Sequence, residues 1–537
     1  MRIQSVRLAV WLACALGSSL ASPASAADKL LTVAEQSEYQ ATSRHAQVVD
    51  FCERLAKQCP YVRLGELGTT FEGRKLPLVI LADPPISTPE EAARSNKLVV
   101  FAMGNIHAGE VDGKEGLMML ARDIGTSAER PLLKNLILVI APIFNADGNE
   151  RMSKTNRRGQ VGPAEGMGIR ANAQGFDLNR DFVKLESPEV RALVKLLNVW
   201  DPAIVIDMHT TNGSYHRYTI TYEGPRNPAG DEKVVALVRD DLLPDVGRRL
   251  EKRSGYHSFF YGMFSKDRTG WESVPATPRF GLYYVGLRNR ISILSESYSY
   301  ASYKDRVLGS RDFARSIFEY AAENKDRLQT LLAEVRQRTV QAGRDPKPTD
   351  LVAVQQKSAA LDGTVDFLGF VEEMKNGRRV ATDQPKIYQL KYYGRCEPKV
   401  SVPRPYAYLI PANLTKIVDA LHKHGIVVEK LLEDRDLDVE VYRTDKISRA
   451  QGRFQEHQLV SLQASSRPEK RLIKANTLVV RTAQPLGTLA LYLLEPESED
   501  GLCTWNFLDE NLAEGKDYPI LRVGKRTELS LGRQSSP

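Results

Sequence analysis

The sequence predicts an α/β fold, a mixed and mostly parallel sheet flanked by helices, followed by a smaller β-rich C-terminal domain. Three observations lead there. Between residues 27 and 345, short apolar β-rich runs alternate with amphipathic segments, as in helices covering a largely parallel sheet. The stretch Gly343-Arg344-Asp345-Pro346-Lys347-Pro348-Thr349 is polar and Pro-bearing, a linker signal. Beyond it the chain reads as short strands interrupted by one clear helix.

At the N-terminus, Arg2 and Arg7 precede the apolar run Leu8 to Leu20, and Ala24-Ser25-Ala26 supplies a small-residue cleavage pattern. Residues 1–26 therefore read as a signal peptide, and the mature chain as exported to the periplasm or the exterior. About 13 apolar residues are too few to span a bilayer, and no later run approaches 20, so no membrane span is expected. Trp11-Leu12-Ala13 before Cys14 is a poor lipid-attachment box.

Residues 27–345 form the first predicted domain. Pro77–Ala82, Leu98–Met103, Leu136–Ala141, Ala203–Asp207 and Ile291–Leu294 read as buried strands. Gly113–Ile124 and Ser187–Val199 read as helices, the second with Ser187 as N-cap and Pro188 at the first helical position. A charged helix spans about 324–341. In the second domain, residues 346–537, Val365–Val371, Ile387–Tyr393, Tyr406–Ile410, Val439–Tyr442, Leu478–Val480 and Thr488–Leu493 read as strands, and Leu414–His424 as a helix.

The net charge of +7 loses two arginines with the leader and becomes +5, scattered along the chain. No concentrated basic run marks a nucleic-acid binder. Four cysteines follow the leader: Cys52, Cys59, Cys396 and Cys503. In an exported chain Cys52–Cys59 is the first choice for a disulfide, and Cys396–Cys503 is compatible with the count. No CxxC pair exists, which argues against a cysteine zinc site.

Three buried strands end in chemistry-bearing residues. Leu98–Met103 leads to His107 and Glu110, Ala203–Asp207 to His209, and Ile291–Leu294 to Glu296. In an open α/β sheet, groups just past the carboxyl ends of strands gather at one edge. His107 and Glu110, three residues apart, reach one side of a helical turn. With His209 they make a three-ligand set that leaves zinc a position for water. Glu296, outside that set, suits a general base. His45, His216, His257 and His457 lack an acidic partner at ligand spacing after a buried strand, while His422 and His424 read as solvated surface on a Lys-bearing helix.

These residues resemble the zinc carboxypeptidase family typified by carboxypeptidase A, over roughly residues 65–325. Gly104-Asn105-Ile106-His107-Ala108-Gly109-Glu110 looks like the family's first metal motif. Phe144-Asn145-Ala146-Asp147-Gly148 is similar to its Asn-Pro-Asp-Gly turn, with Ala for Pro. Arg170-Ala171-Asn172-Ala173-Gln174-Gly175-Phe176-Asp177-Leu178-Asn179-Arg180 closely resembles its Arg-x-Asn-Ala-x-Gly-x-Asp-Leu-Asn-Arg segment.

The resemblance implies a zinc-dependent peptide hydrolase that releases C-terminal residues. It implies Asn179 and Arg180 as the pair holding the substrate's terminal carboxylate, and Arg170 as the arginine facing the oxyanion. Guanidinium forks suit both tasks. The basic insertion Glu150–Met167 offers Arg157 as the second choice beside the oxyanion. The family's mobile active-site tyrosine has no counterpart in Asp267–Phe280, which leaves Tyr283, Tyr284 and Tyr298 as alternatives. Two rival readings share the scaffold: a zinc amidase or deacylase acting on acyl-amino acids or cell-wall peptides, and an inactive peptide-binding protein.

Overall fold

The computed structural model describes residues 30–127, 130–211 and 213–533, so the leader reading at 1–26 lies outside the described residues. An eight-stranded mixed sheet carries the first half of the chain. Its strands are β1 (Val62–Thr69), β2 (Lys75–Leu81), β3 (Leu98–Gly104), β4 (Leu136–Ala141), β5 (Ile204–Thr211), β6 (Ile220–Glu223) and β7 (Ser258–Phe260). After the short β8 (Met263–Phe264) and β9 (Gly270–Glu272), which belong elsewhere, β10 (Ile291–Tyr298) completes it. The order across the sheet is β1-β2-β4-β3-β5-β10-β6-β7.

The four central strands, β4, β3, β5 and β10, are mutually parallel, and β2 and β6 run antiparallel to their inner neighbours. These centres are continuous aliphatic runs, as sheets covered on both faces require; all six residues of β4 are buried. Helices Asp112–Thr126 and Pro188–Trp200 fall where periodicity put them. The Ser187 hydroxyl accepts from the Val190 N–H at 3.2 Å, the expected cap. Among the described residues no helix is long and apolar enough to cross a membrane.

The Pro-bearing stretch separates two compositions but not two sheets. Past it run β11 (Leu351–Ala359), β12 (Val365–Lys375), β13 (Arg378–Tyr393) and β14 (Arg395–Pro403). β13 lies parallel to β9, with Lys391, Tyr392 and Tyr393 opposite Gly270, Trp271 and Glu272. The four-stranded sheet β12-β13-β9-β8 thus mixes strands from both sides of residue 346. Tyr218, Phe264, Trp271, Phe367, Leu390 and Tyr392 pack as one cluster. Helix Lys325–Arg344 ends with Gly343 against the Thr482 backbone, where a Cβ would sit 2.2 Å from the carbonyl carbon. A seven-stranded sheet containing the hairpin Arg435–Arg449/Val460–Ile473 completes the compact unit of residues 31–537.

Three expectations are corrected. Thr488–Leu493 is not a strand but part of the helix Gly487–Leu494, buried at every residue. A short, uniformly apolar run carries no period, so its pattern does not distinguish helix from strand. All four described cysteines are free. Cys52 lies within helix His45–Gln58 and Cys59 caps its end; seven helical residues separate them by about 10 Å, beyond disulfide reach. His424 is fully buried, not solvated: its Nδ1 pairs with the Tyr284 hydroxyl at 2.8 Å and its Nε2 with the Val183 carbonyl at 3.1 Å.

Candidate metal centre and substrate cleft

Strand register brings the site together. On the parallel pair β5–β10, His209 lies directly opposite Glu296, so ligand and proposed base emerge side by side. On the other flank, β3 runs alongside β5 up to Gly104 opposite Met208. Asn105, in the left-handed region at φ 68°, then turns the chain into the His107–Glu110 segment. This segment is a turn, not a helix: the Glu110 N–H donates to the His107 carbonyl at 2.9 Å, and the following helix begins at Asp112. The spacing of three works because a single turn, like a helical one, returns both side chains to one side.

His107, Glu110 and His209 are buried and bring ligand atoms within 4.8 Å of one another. His107 Nδ1 stands 3.0 Å from Glu110 Oε1, His209 Nδ1 stands 2.9 Å from Oε2, and the two Nδ1 atoms are 3.2 Å apart. Each ring turns its outer nitrogen to another carboxylate. His107 Nε2 meets Asp177 Oδ1 at 3.0 Å, and His209 Nε2 stands 2.9 Å from Asp207 Oδ2, off the line of a hydrogen bond. Carboxylates in those places favour the hydrogen on the outer nitrogens, leaving the inner lone pairs directed at one another and at Glu110. Two imidazoles and one carboxylate that bring their ligand atoms this close in a buried place form a cage that a cation would complete. The donor set of two imidazoles and one carboxylate suits zinc.

Two guanidiniums reach the same carboxylate. Arg157 Nη2 donates to Glu110 Oε1 at 2.6 Å, with Arg157 itself at φ 50°. Arg170 Nη1 lies 3.8 Å from that oxygen and 3.4 Å from His107 Nδ1. Burial pushes the Glu110 carboxyl up, but His107 and Arg157 outweigh it and hold the group well below its usual range. For Glu296 the balance is opposite: burial, joined by the negative charge of Glu110, pushes its carboxyl up to about 8.

Asp177 is the hub of the substrate side. Its carboxylate touches His107, accepts from Arg170 Nε at 2.8 Å and from the Asn179 N–H at 3.0 Å, and lies 3.9 Å from Arg180 Nη1. Asn179 Oδ1 accepts from the Gly281 N–H at 2.9 Å. The Arg180 guanidinium stacks over the Phe280 ring at 4.1 Å. The Asn145 side chain binds both the Ile106 and the Arg170 carbonyls at 3.3 Å, tying the ligand turn to the Arg170 segment. Of the seven residues singled out from the sequence, His107, His209 and Arg170 meet at Glu110, Asn179 and Arg180 lie beside Asp177, and Glu296 stands opposite His209 on β10.

One residue escaped the sequence. Tyr261 packs against the cluster of Ala276, Leu282, Tyr283 and Leu294, and its hydroxyl bonds Thr211. Burial and the charges of Glu296 and Glu110 push that hydroxyl upward. Tyr261 lies six residues before Asp267–Phe280, and no motif marks it. Among the alternatives, the hydroxyls of Tyr283, Tyr284 and Tyr298 are engaged by Arg226, His424 and the His216 N–H.

Known proteins similar to this chain are carboxypeptidases. The family model of the zinc carboxypeptidases matches residues 48–258, which include both histidines and Glu110 but not Glu296. Carboxypeptidase 2 of Trichophyton rubrum is 23% identical over 94% of this chain and 91% of its own length. Human carboxypeptidase Z is 32% identical over 27% of this chain and 22% of its own. Carboxypeptidase A from Helicoverpa armigera overlaps 52% of this chain and 75% of its own, at 17% identity and a TM-score of 0.39. Residues 48–258 are thus similar to the zinc carboxypeptidases, and the Trichophyton rubrum relative matches along nearly the whole chain.

Proposed function

We propose that this chain is a metallocarboxypeptidase, with zinc held by His107, Glu110 and His209. One observation carries the reading. Asp177 joins a metal-ligand histidine to Arg170 and comes within 3.9 Å of Arg180, so metal donors and two guanidiniums share one cleft. When bound, zinc polarises the scissile carbonyl and acidifies the attacking water.

The chain's own groups do the rest. Arg180, with Asn179 beside it, takes the substrate's terminal carboxylate in its fork and sets the position of the last peptide bond. Arg170 places a fixed cation where negative charge develops on the carbonyl oxygen. Glu296 accepts the proton of the attacking water and returns it to the leaving amine. A carboxyl pushed up to about 8 exchanges protons readily near neutral pH. All of these groups precede residue 346, which we take as the boundary between a catalytic part, 27–345, and an accessory part, 346–537. The leader pattern at 1–26 supports action outside the cytoplasm.

The amidase reading differs in what it asks of Arg180. A blocked peptide with a free C-terminal carboxylate is expected to be cleaved at least about a hundredfold faster than its C-terminal amide, the scale of a lost charged contact. Equal rates on both would replace exopeptidase by amidase.

A further inference from the structure

The hairpin Arg435–Arg449/Val460–Ile473 carries its connecting loop to the substrate side of the cleft. At the end of that loop the Phe454 N–H donates to the His457 carbonyl at 2.8 Å, and the His457 N–H to the Phe454 carbonyl at 3.1 Å. Gln455 and Glu456 between them sit at φ 50° and 64°. Two central residues with positive φ make a type I′ turn, which normally uses Asn-Gly or Gly-Gly because a Cβ is unfavourable there. Phe-Gln-Glu-His has neither residue. Strained backbone persists only where the surroundings hold it.

Those surroundings include segments of the candidate site. Gln455 Oε1 accepts from the Asp177 N–H at 2.8 Å. His457 Nε2 pairs with Glu186 Oε1 at 2.9 Å and its Nδ1 with Asn506 Oδ1 at 3.0 Å. On the other side, Phe454 packs against Trp505, and the Arg279 guanidinium lies 5.5 Å from its ring. Asp500 accepts from the Arg279 N–H at 2.6 Å and from its Nε at 3.0 Å. Arg279 precedes Phe280, the ring on which Arg180 stacks. The turn is therefore clamped from both flanks onto the segments that orient Asp177 and Arg180.

We infer that this turn is a working part of the active site and that Gln455 is a positioning residue, holding the backbone of Asp177 from the accessory part of the chain. The inference rests on the peptidase reading. Asp177 orients a metal-ligand imidazole and Arg170 at once, so a shift of its backbone moves both. The Gln455 side chain accepts at Oε1, and the amide it serves belongs to a residue that touches His107 and Arg170. Gln455 touches no reacting atom; it acts through Asp177.

The full-length zinc-loaded protein tests this with two substitutions of similar length, Gln455→Met, which removes the acceptor, and Gln455→Glu, which keeps an acceptor oxygen. Zinc dissociation constants by chelator competition and separate kcat and KM values on a blocked free-acid dipeptide are the readouts, with melting curves alongside. Gln455→Met is expected to weaken zinc roughly three- to tenfold, below the 10–100-fold typical of a group touching the ligand itself, and to lower kcat more than it raises KM. Gln455→Glu is expected to recover at least half of both losses. Wild-type zinc affinity and kcat in Gln455→Met would overturn the inference. So would equal losses in both variants that simply follow a lowered melting temperature. The zinc measurement needs no turnover: a wild type that binds zinc but cleaves no free-acid peptide refutes the peptidase reading, while the zinc affinities of the variants still decide the role of Gln455.

Discussion

Two buried carboxylates, one in each half of the chain, sit among polar neighbours and mean different things. Glu495, beneath the C-terminal sheet, faces donors. Tyr408 and Tyr442 hydroxyls donate to its oxygens at 2.5 and 2.9 Å, and Arg522 Nε stands 3.3 Å from Oε1. Arg522 also donates to the Tyr442 hydroxyl at 2.5 Å, so hydrogens and lone pairs alternate through the group. Glu110 accepts from Arg157 and from the Thr210 N–H, but it also faces two imidazole nitrogens at 3.0 and 2.9 Å whose outer nitrogens are turned to carboxylates. A matched cluster is complete as it stands and serves the fold. One in which two imidazoles converge on a carboxylate has the donor set to hold a cation. Burial and polarity are alike in the two places; the sense of the hydrogens separates them.

The largest expected effect breaks the Glu110 side. His107→Ala and His209→Ala should each lose the bound metal, from about one zinc per chain to background by elemental analysis. Full zinc retention in either variant would mean the ligand set is wrong. Glu296→Gln sharpens the comparison within that site, because Glu296 is a neighbour of the ligands and not one of them. Turnover should fall about 10²- to 10⁴-fold while zinc stoichiometry stays at the wild-type value. Undiminished turnover would remove the base assignment.

On the matched side, Arg522→Leu leaves Glu495 without its cation and should destabilise the chain by about 3–5 kcal/mol, read from denaturant unfolding. The folded fraction should keep its zinc. Loss of zinc with wild-type stability would reverse the roles given to the two clusters.

The smallest effect concerns His424. Burial holds this imidazole down to about 3, against roughly 6.5 in an unfolded chain. The unfolded chain therefore takes up a proton that the folded chain refuses. Stability is full above about 6.5 and falls as pH drops through the window from 6.5 to 3. Between pH 7 and 5 the loss from this one group is up to about 2 kcal/mol. Unfolding of His424→Gln should show a correspondingly shallower pH slope, and an unchanged slope would locate the acid sensitivity elsewhere.

Much of the site was readable because its chemistry sits at strand ends. An aliphatic run long enough to be a buried strand, followed at once by His or Glu, fixes both the element and the edge at which the side chain emerges. That held for His107, Glu110, His209 and Glu296. Arg170, Asn179 and Arg180 lie on no regular strand, and only their likeness to a family segment picked them out. Tyr261 has neither signal: it follows β7, in a part of the chain where family spacing fails. His424 was misread because a helix bearing Lys423 looks solvated in sequence, yet the imidazole turns inward to Tyr284 and Val183.

The sequence by itself determined the layered α/β architecture and which chemistry-bearing residues stand at its strand ends, because these depend on local periodicity. The tertiary structure decided the rest. Register placed His209 opposite Glu296; strand pairing across residue 346 joined two compositions in one sheet; and a turn nearly 280 residues downstream delivered Gln455 to the Asp177 amide. Each of these is a pairing between segments distant in sequence, fixed by which surfaces pack together, and no local pattern encodes the partner.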